Sequence, residues 1–153
     1  LQKVCQMMRA AERVFVYGTG TAQQEVAKEL QRTFMAVRKY LHVIEGETEL
    51  QNVVGDISST DVVLIISYSG SKDFLKDIVR RLQMNGVKYI SLTNLTNNFL
   101  AQHAAHNLYI PSTPFGLPAG GKFSSIILLL LVVDILFRNY VELMAEWEAG
   151  SPV

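Results

Sequence analysis

This 153-residue sequence lacks most features that would announce a function. It has one cysteine, Cys5, which excludes an internal disulfide framework and suits a reducing cytoplasm. Neither sign of charge is in excess. Fourteen Lys and Arg balance fourteen Asp and Glu, so the chain has no whole-domain footprint for DNA, RNA or an anionic membrane. Charged residues are also scarce, at 18% against a typical ~25%, and such a surface is expected to be covered in part by another chain. The first residues, LQKVCQMMRAAER, have no basic-then-apolar order, so no signal peptide is read there. Because residue 1 is Leu1 and not methionine, the chain reads as an excised domain or processed piece. The longest unbroken apolar run, residues 126–133, is eight residues and ends at Asp134, far short of the ~20 that cross a bilayer. A buried helix covered on several faces, by the domain and by a second subunit, is the better reading.

What is present suits one globular domain over residues 1–150. The sequence is 49% apolar, and a chain of this size buries about 68–70% of its unfolded surface without a disulfide or metal. Residues 13–17 (RVFVY), bounded by Gly18, read as a buried strand. Residues 19–33 gather Ala22, Val26, Ala27 and Leu30 on one helical face, and residues 34–44 read as a second strand. Residues 61–66 (DVVLII) have the continuous apolar character of a parallel strand buried on both faces. A helix with Phe74, Leu75, Ile78, Val79 and Leu82 on one face follows, and Asn85-Gly86 stops it. Residues 87–93 and 107–110 give two more strands around a short helix at 97–105. Helices at 2–12 and from 123 to about 147 bracket the core.

Five alternations predict an α/β three-layer sandwich, a five-stranded parallel sheet in the flavodoxin-like order 2-1-3-4-5 with helices on both faces. In that order strands one and three meet at the switch point, where ligands bind at the strand carboxyl ends. Two loops leave those strands. The first, Gly18-Thr19-Gly20-Thr21, opens a helix whose free N–H groups favour an anion. It is no dinucleotide fingerprint, because Gln23 stands where the third glycine belongs, and no GK[ST] follows to make a P-loop. A plain strand-to-helix turn explains it equally well. The second, Ser67-Tyr68-Ser69-Gly70-Ser71, puts three hydroxyls and a glycine before a helix, more than one N-cap requires. Hydrogen bonds to a charged group contribute roughly 1.5–3 kcal/mol each, so four or five of them hold a phosphomonoester without arginine.

The segment IISYSGSKDFLKDIVRRLQMNGVKYISLTN resembles the signature of the SIS (sugar isomerase) domain, and the GTGT turn matches the earlier SIS glycine turn. The closing stretch GGKFSSIILLLLVVDILF is similar to the C-terminal effector domain of RpiR-type bacterial transcription regulators. The resemblance implies a sugar-phosphate or amino-sugar-phosphate site. Ser67, Ser69 and the backbone of Tyr68 and Gly70 would cradle the phosphate, with Ser71 beside them and Gly18, Gly20 and Thr21 approaching from the first turn. Glu49, Thr93 and Ser124 are further candidates. SIS turns usually read S-x-S-G-x-T, and here the last position is Lys72. It is either a cation aimed at the phosphate or a surface lysine.

Catalysis has few candidates. Isomerisation of a sugar phosphate needs a base, and Glu45, Glu47 and Glu49 lie in a connection that otherwise reads as a solvated loop. His103 and His106 are three apart on a predicted helix without a third metal ligand, and His42 reads as structural. No G-x-S-x-G elbow is present, and Cys5 lies in the first helix. The expectation is therefore a cytoplasmic sensor domain, a homodimer or higher homo-oligomer without cofactor or metal, with no membrane contact. As the resemblance implies, it would reach DNA only through a helix-turn-helix domain N-terminal to Leu1. The alternatives are a sugar-phosphate isomerase and a non-binding dimerisation module that keeps only the SIS fold.

Overall fold

The computed structural model describes residues 1–150. In chain order it forms α1 (Gln2–Ala10), β1 (Val14–Gly18), α2 (Thr21–Met35), β2 (Leu41–Ile44) and α3 (Glu47–Val53), the last running into a 3-10 turn at Val54–Asp56. Next come β3 (Val62–Ile66), α4 (Phe74–Met84), β4 (Lys88–Asn94), α5 (Phe99–His103) and β5 (His106–Ile110). A small hairpin, β6 (Phe115–Gly116) with β7 (Lys122–Phe123), precedes α6 (Ile127–Gly150).

The five long strands are all parallel, in the order β2-β1-β3-β4-β5. Alternation along a strand divides the core into two layers. Val62, Leu64 and Ile66 of β3 join one cluster with Val4, Leu30, Phe34 and Leu136, under α1, α2 and α6. Val63 and Ile65 join the other, with Leu50, Leu75, Leu82 and Leu100, under α3, α4 and α5. That explains why β3 is apolar at every position and buried throughout. At the amino ends of the strands Asp61, 1% exposed, takes two bonds from Arg13 (3.1 and 2.8 Å) and one from Ser58 N–H (2.8 Å).

Several predicted boundaries are corrected. Residues 34–44 are not one strand, because α2 continues to Met35. Phe34 completes the Val26, Ala27, Leu30 face and meets Phe137 and Tyr140 edge-on at 5.4 and 5.1 Å. The chain then turns through Arg38 at φ 57°, and only Leu41–Ile44 pair as a strand. The acidic connection is no loop but α3, which buries only Leu50. α1 stops at Ala10 and α5 spans only Phe99–His103. Residue 123 belongs to the hairpin, not to the last helix.

α6 buries Leu129, Val133, Leu136, Tyr140 and Leu143. On its outer side Ile127, Leu131 and Ile135, four apart, stay 67%, 51% and 40% exposed. Apolar character all round the helix thus meets protein on one side only. Among the described residues no helix is long and apolar enough to cross a membrane.

Candidate functional site

Parallel pairing of β1 with β3 sets Gly18 opposite Ile66, and Thr19 N–H donates to Ile66 O at 3.0 Å. The two turns singled out in the sequence therefore leave adjacent strands side by side at the carboxyl edge.

In the first turn the two glycines do different things. A Cβ on Gly18 would lie 2.4–2.6 Å from the backbone of Gln23 and Gln24, so its bare side lets α2 approach β1. Gly20 is the extended N-cap of α2, and Thr21 is exposed at the first helical position. Gln24, unnoticed in the sequence, ties the strand ends together, its amide donating to Gly18 O (2.8 Å) and Ile44 O (3.0 Å). Two buried side-chain oxygens here, Thr19 Oγ1 and Gln24 Oε1, have no hydrogen-bond partner.

The second turn is self-supporting. Ser67 is fully buried, and its Oγ accepts from Gly70 N–H at 3.1 Å. Ser69 Oγ accepts from Ser71 N–H and Ser71 Oγ donates to Ser69 O, both at 3.3 Å. Gly70 has φ +63°, where a side chain is strained. Tyr68 packs against the core layer under α1, α2 and α6, and its hydroxyl donates to Ser125 O just before α6. Burial raises the pKa of that phenol. Lys72, exposed, spans the two turns, its ammonium donating to Thr19 O at 3.3 Å.

The remaining candidates scatter. Thr93 is buried and takes a bond from Asn98 (3.0 Å), so it braces the edge from below. Ser124 lines a cavity of about 230 Å³ with Tyr68, Ser69, Asn94, Thr96 and Ser112, alongside the second turn. The cap of α6 falls to Ser125, whose Oγ accepts from Ile127 N–H at 3.2 Å. Glu49 is exposed on α3 with its carboxylate turned over Gly46. Burial, then Glu47 and Glu49, push the Tyr17 phenol up.

His103 and His106 do not share a helix, because α5 ends at His103 and His106 opens β5. The His103 ring bonds Phe99 O at 2.9 Å and lies tilted against the Phe99 ring, centres 4.5 Å apart, and the His42 ring centre lies 5.3 Å from that of Phe15. Cys5 is buried in α1, and burial pushes its thiol up to about 11. A larger hollow, about 340 Å³ against Arg9 and Trp147, lies near the opposite edge of the sheet, where α1 leads into β1. Arg9 is occupied there over the indole, 4.4 Å from the ring centre.

Asn98 and Asn94, like Gln24, play parts that the sequence did not single out. Asn98, 3% exposed, caps α5, its Oδ1 accepting from Ala101 N–H at 2.9 Å. Asn94 clamps the start of the 112–124 segment, donating to Ser112 O and accepting from Ser112 N–H, both at 2.8 Å. An Asn followed by Phe-Leu-Ala is a legible N-cap. Nothing in the sequence places it against Gly70, where an added Cβ would lie 2.1 Å from its Oδ1.

Comparison with known proteins adds relatives to this geometry. The SIS domain model matches residues 7–138. The HTH-type transcriptional regulator GlvR of Bacillus subtilis is 41% identical over 139 residues, which are 91% of this chain and 55% of that protein. The chain spans about half the length of the curated regulators it matches. Among solved structures, the Vibrio vulnificus NanR protein complexed with ManNAc-6P superposes with TM-score 0.80 at 23% identity, over 96% of this chain and 55% of that one. The sugar isomerase domain of an RpiR transcription factor from Sphaerobacter thermophilus superposes with TM-score 0.74 at 19% identity, over 97% and 84%. These two likenesses carry the fold.

Proposed function

Because the chain belongs to the SIS domain family, we propose that it is the phosphosugar-sensing effector domain of an RpiR-type bacterial transcription regulator. It binds a sugar phosphate or amino-sugar phosphate and does no chemistry on it. One observation carries the reading: two short turns lie side by side at the switch point, with the Lys72 ammonium spanning them. Ser67, Ser69, Ser71 and the N–H groups of Tyr68 and Gly70 hold the phosphate, approached by Gly18, Gly20 and Thr21. Lys72 leaves the Thr19 carbonyl for the anion, and the Ser124 cavity takes the sugar. Thr93 contributes by bracing, and Glu49 lines the far side.

The absence of chemistry is supported by the acid–base groups. The rings of His42 and His103 lie tilted against Phe15 and Phe99. The Glu49 carboxylate covers Gly46. In the whole regulator a helix-turn-helix domain outside residues 1–150 contacts DNA, and two copies of this domain pair through the exposed stripe of α6. A ligand that binds two dimer arrangements unequally then shifts DNA affinity, whereas one indifferent to them shifts nothing.

Calorimetry against ManNAc-6P, other hexose and pentose phosphates and their phosphate-free sugars tests the site. Phosphorylated sugars bind and their parents do not. Ser67→Ala and Ser69→Ala each weaken binding about ten- to a hundredfold, the weight of a hydrogen bond to a charged group. Unchanged affinity in the double variant would refute the site. Carbon-bound proton exchange into heavy water, abolished by Glu49→Gln, would make the domain an isomerase. A dimer that binds none of the phosphates would be an assembly module.

A further inference from the structure

Among the residues that hold the second turn from outside is Asn98, the N-cap of α5. Gly70 is in the left-handed region, and the space beside its Cα is filled by Asn98: a Cβ there would lie 2.1 Å from Asn98 Oδ1 and 2.5 Å from its Cγ. Asn98 is buried and its amide is fully engaged. Oδ1 accepts from Ala101 N–H at 2.9 Å, while Nδ2 donates to Thr93 Oγ1 at 3.0 Å and Thr96 O at 3.1 Å. An N–H only donates and a carbonyl only accepts, so these partners admit one orientation of the amide. Backbone bonds fasten the same two segments: Leu100 N–H donates to Gly70 O at 2.9 Å and Asn94 N–H to Tyr68 O at 3.0 Å.

We propose that Asn98 is a positioning residue of the anion site. Its amide is a wedge, locked to β4 and α5, against which Gly70 rests. It thereby sets the direction of the N–H groups at Gly70 and Ser71. The ligand in this inference rests on the phosphosugar reading above, but the positioning itself exists without ligand.

The experiment compares wild type, Asn98→Ala and Leu143→Ala, the last a buried residue of α6 remote from the turn that controls for lost stability. Amide hydrogen exchange by NMR is measured without ligand, and affinity for ManNAc-6P and inorganic phosphate by calorimetry, at a temperature where all three are folded. In Asn98→Ala, exchange at Gly70 and Ser71 rises and affinity falls, each by at least about tenfold, the equivalent of one lost hydrogen bond to an anion. Leu143→Ala lowers Tm but moves neither reading. Affinity and exchange within twofold of wild type in Asn98→Ala, or an equal loss in Leu143→Ala, would overturn the proposal. If wild type binds neither probe, the phosphosugar reading fails, and exchange at Gly70 and Ser71 alone decides the role of Asn98.

Discussion

Gly18→Ala and Gly20→Ala separate two jobs that the G-T-G-T turn combines. Carbon atoms in contact normally lie about 3.5–4.0 Å apart, yet a methyl on Gly18 would stand 2.4 Å from Gln23 C, 2.5 Å from Gln23 O and 2.6 Å from Gln24 N. All three are backbone atoms of the first turn of α2, so no rotamer change relieves the overlap. The helix must retreat by about 1 Å to restore ordinary contact. Its apolar face, Val26, Ala27, Leu30 and Phe34, then loosens on the sheet, and Gln24 loses its bonds to Gly18 O and Ile44 O. Overpacking costs about 1–3 kcal/mol, and the two lost hydrogen bonds add about 1 each. The sum, about 3–5 kcal/mol, is a large part of the 5–15 kcal/mol of a typical domain.

Gly20 differs. Its neighbour at 2.6 Å is Gln23 Oε1, the end of a flexible side chain, and its φ of −150° suits any residue. The expected cost of Gly20→Ala is about 1 kcal/mol or less, that of a poorer N-cap. Thermal denaturation followed by far-UV circular dichroism reads both. Gly18→Ala should lower Tm by about 6–20 °C and Gly20→Ala by at most about 4 °C, at 2–4 °C per kcal/mol for a domain of this length. Equal effects below about 1 kcal/mol in both would refute the reasoning, since Gly18 would then not be the point of closest approach.

Asp61→Asn should cost about 1.5–3 kcal/mol without altering ligand affinity, because the residue lies at the opposite edge of the sheet. Burial pushes the Asp61 carboxyl up, but Arg13 and Ser58 outweigh it and hold it below the usual carboxylate range. Its stabilisation is therefore complete above the unfolded value of about 3.9 and is lost as pH falls through the lowered folded value; acid melts of the Asn variant should lack that loss. Gly70→Ala should destabilise more than Gly120→Ala in parallel melts, since both have positive φ but only Gly70 has a neighbour within 4 Å of the added carbon; equal losses would mean that backbone strain alone matters. Leu131→Lys, at the middle of the exposed α6 stripe, should convert a dimer to a monomer in light scattering, and a wild-type monomer would contradict the interface.

How far the sequence was legible depended on whether each element carried its own pattern. DVVLII is apolar at every position because both layers of core meet at β3, and that run placed the central strand. With RVFVY and the alternation of helices, the strand order followed. The serine turn was legible because its hydroxyls exceed what a cap needs. α3 was not, because a helix that buries only Leu50 leaves no stripe, and its three nearby glutamates read as solvated loop. Nor was the end of α2, where Phe34 extends a helical face while the residues after it look extended. The Gly70–Asn98 contact joins residues 28 apart through their tertiary placement, and no local spacing encodes it.

In the phosphosugar reading proposed above, a chain with no net charge draws its hold on a dianion from local geometry, and the bonds within the turn set the terms. Gly70 N–H is already bonded to Ser67 Oγ, Ser71 N–H to Ser69 Oγ, and the Lys72 ammonium to a carbonyl. An entering phosphate exchanges these bonds for charge-assisted ones; it does not gain them from nothing. Each exchange therefore contributes less than a full hydrogen bond to an anion. Affinity comes from making several together, and that requires the turn to keep its shape while its internal bonds are released. The proposed wedge at Gly70 would supply that persistence, because the partners that hold the Asn98 amide are Thr93, Thr96 and Ala101 and not the residues proposed to donate to the phosphate. On that proposal, rigidity from beneath together with replaceable bonds above is what would let a chain of zero net charge select a phosphomonoester.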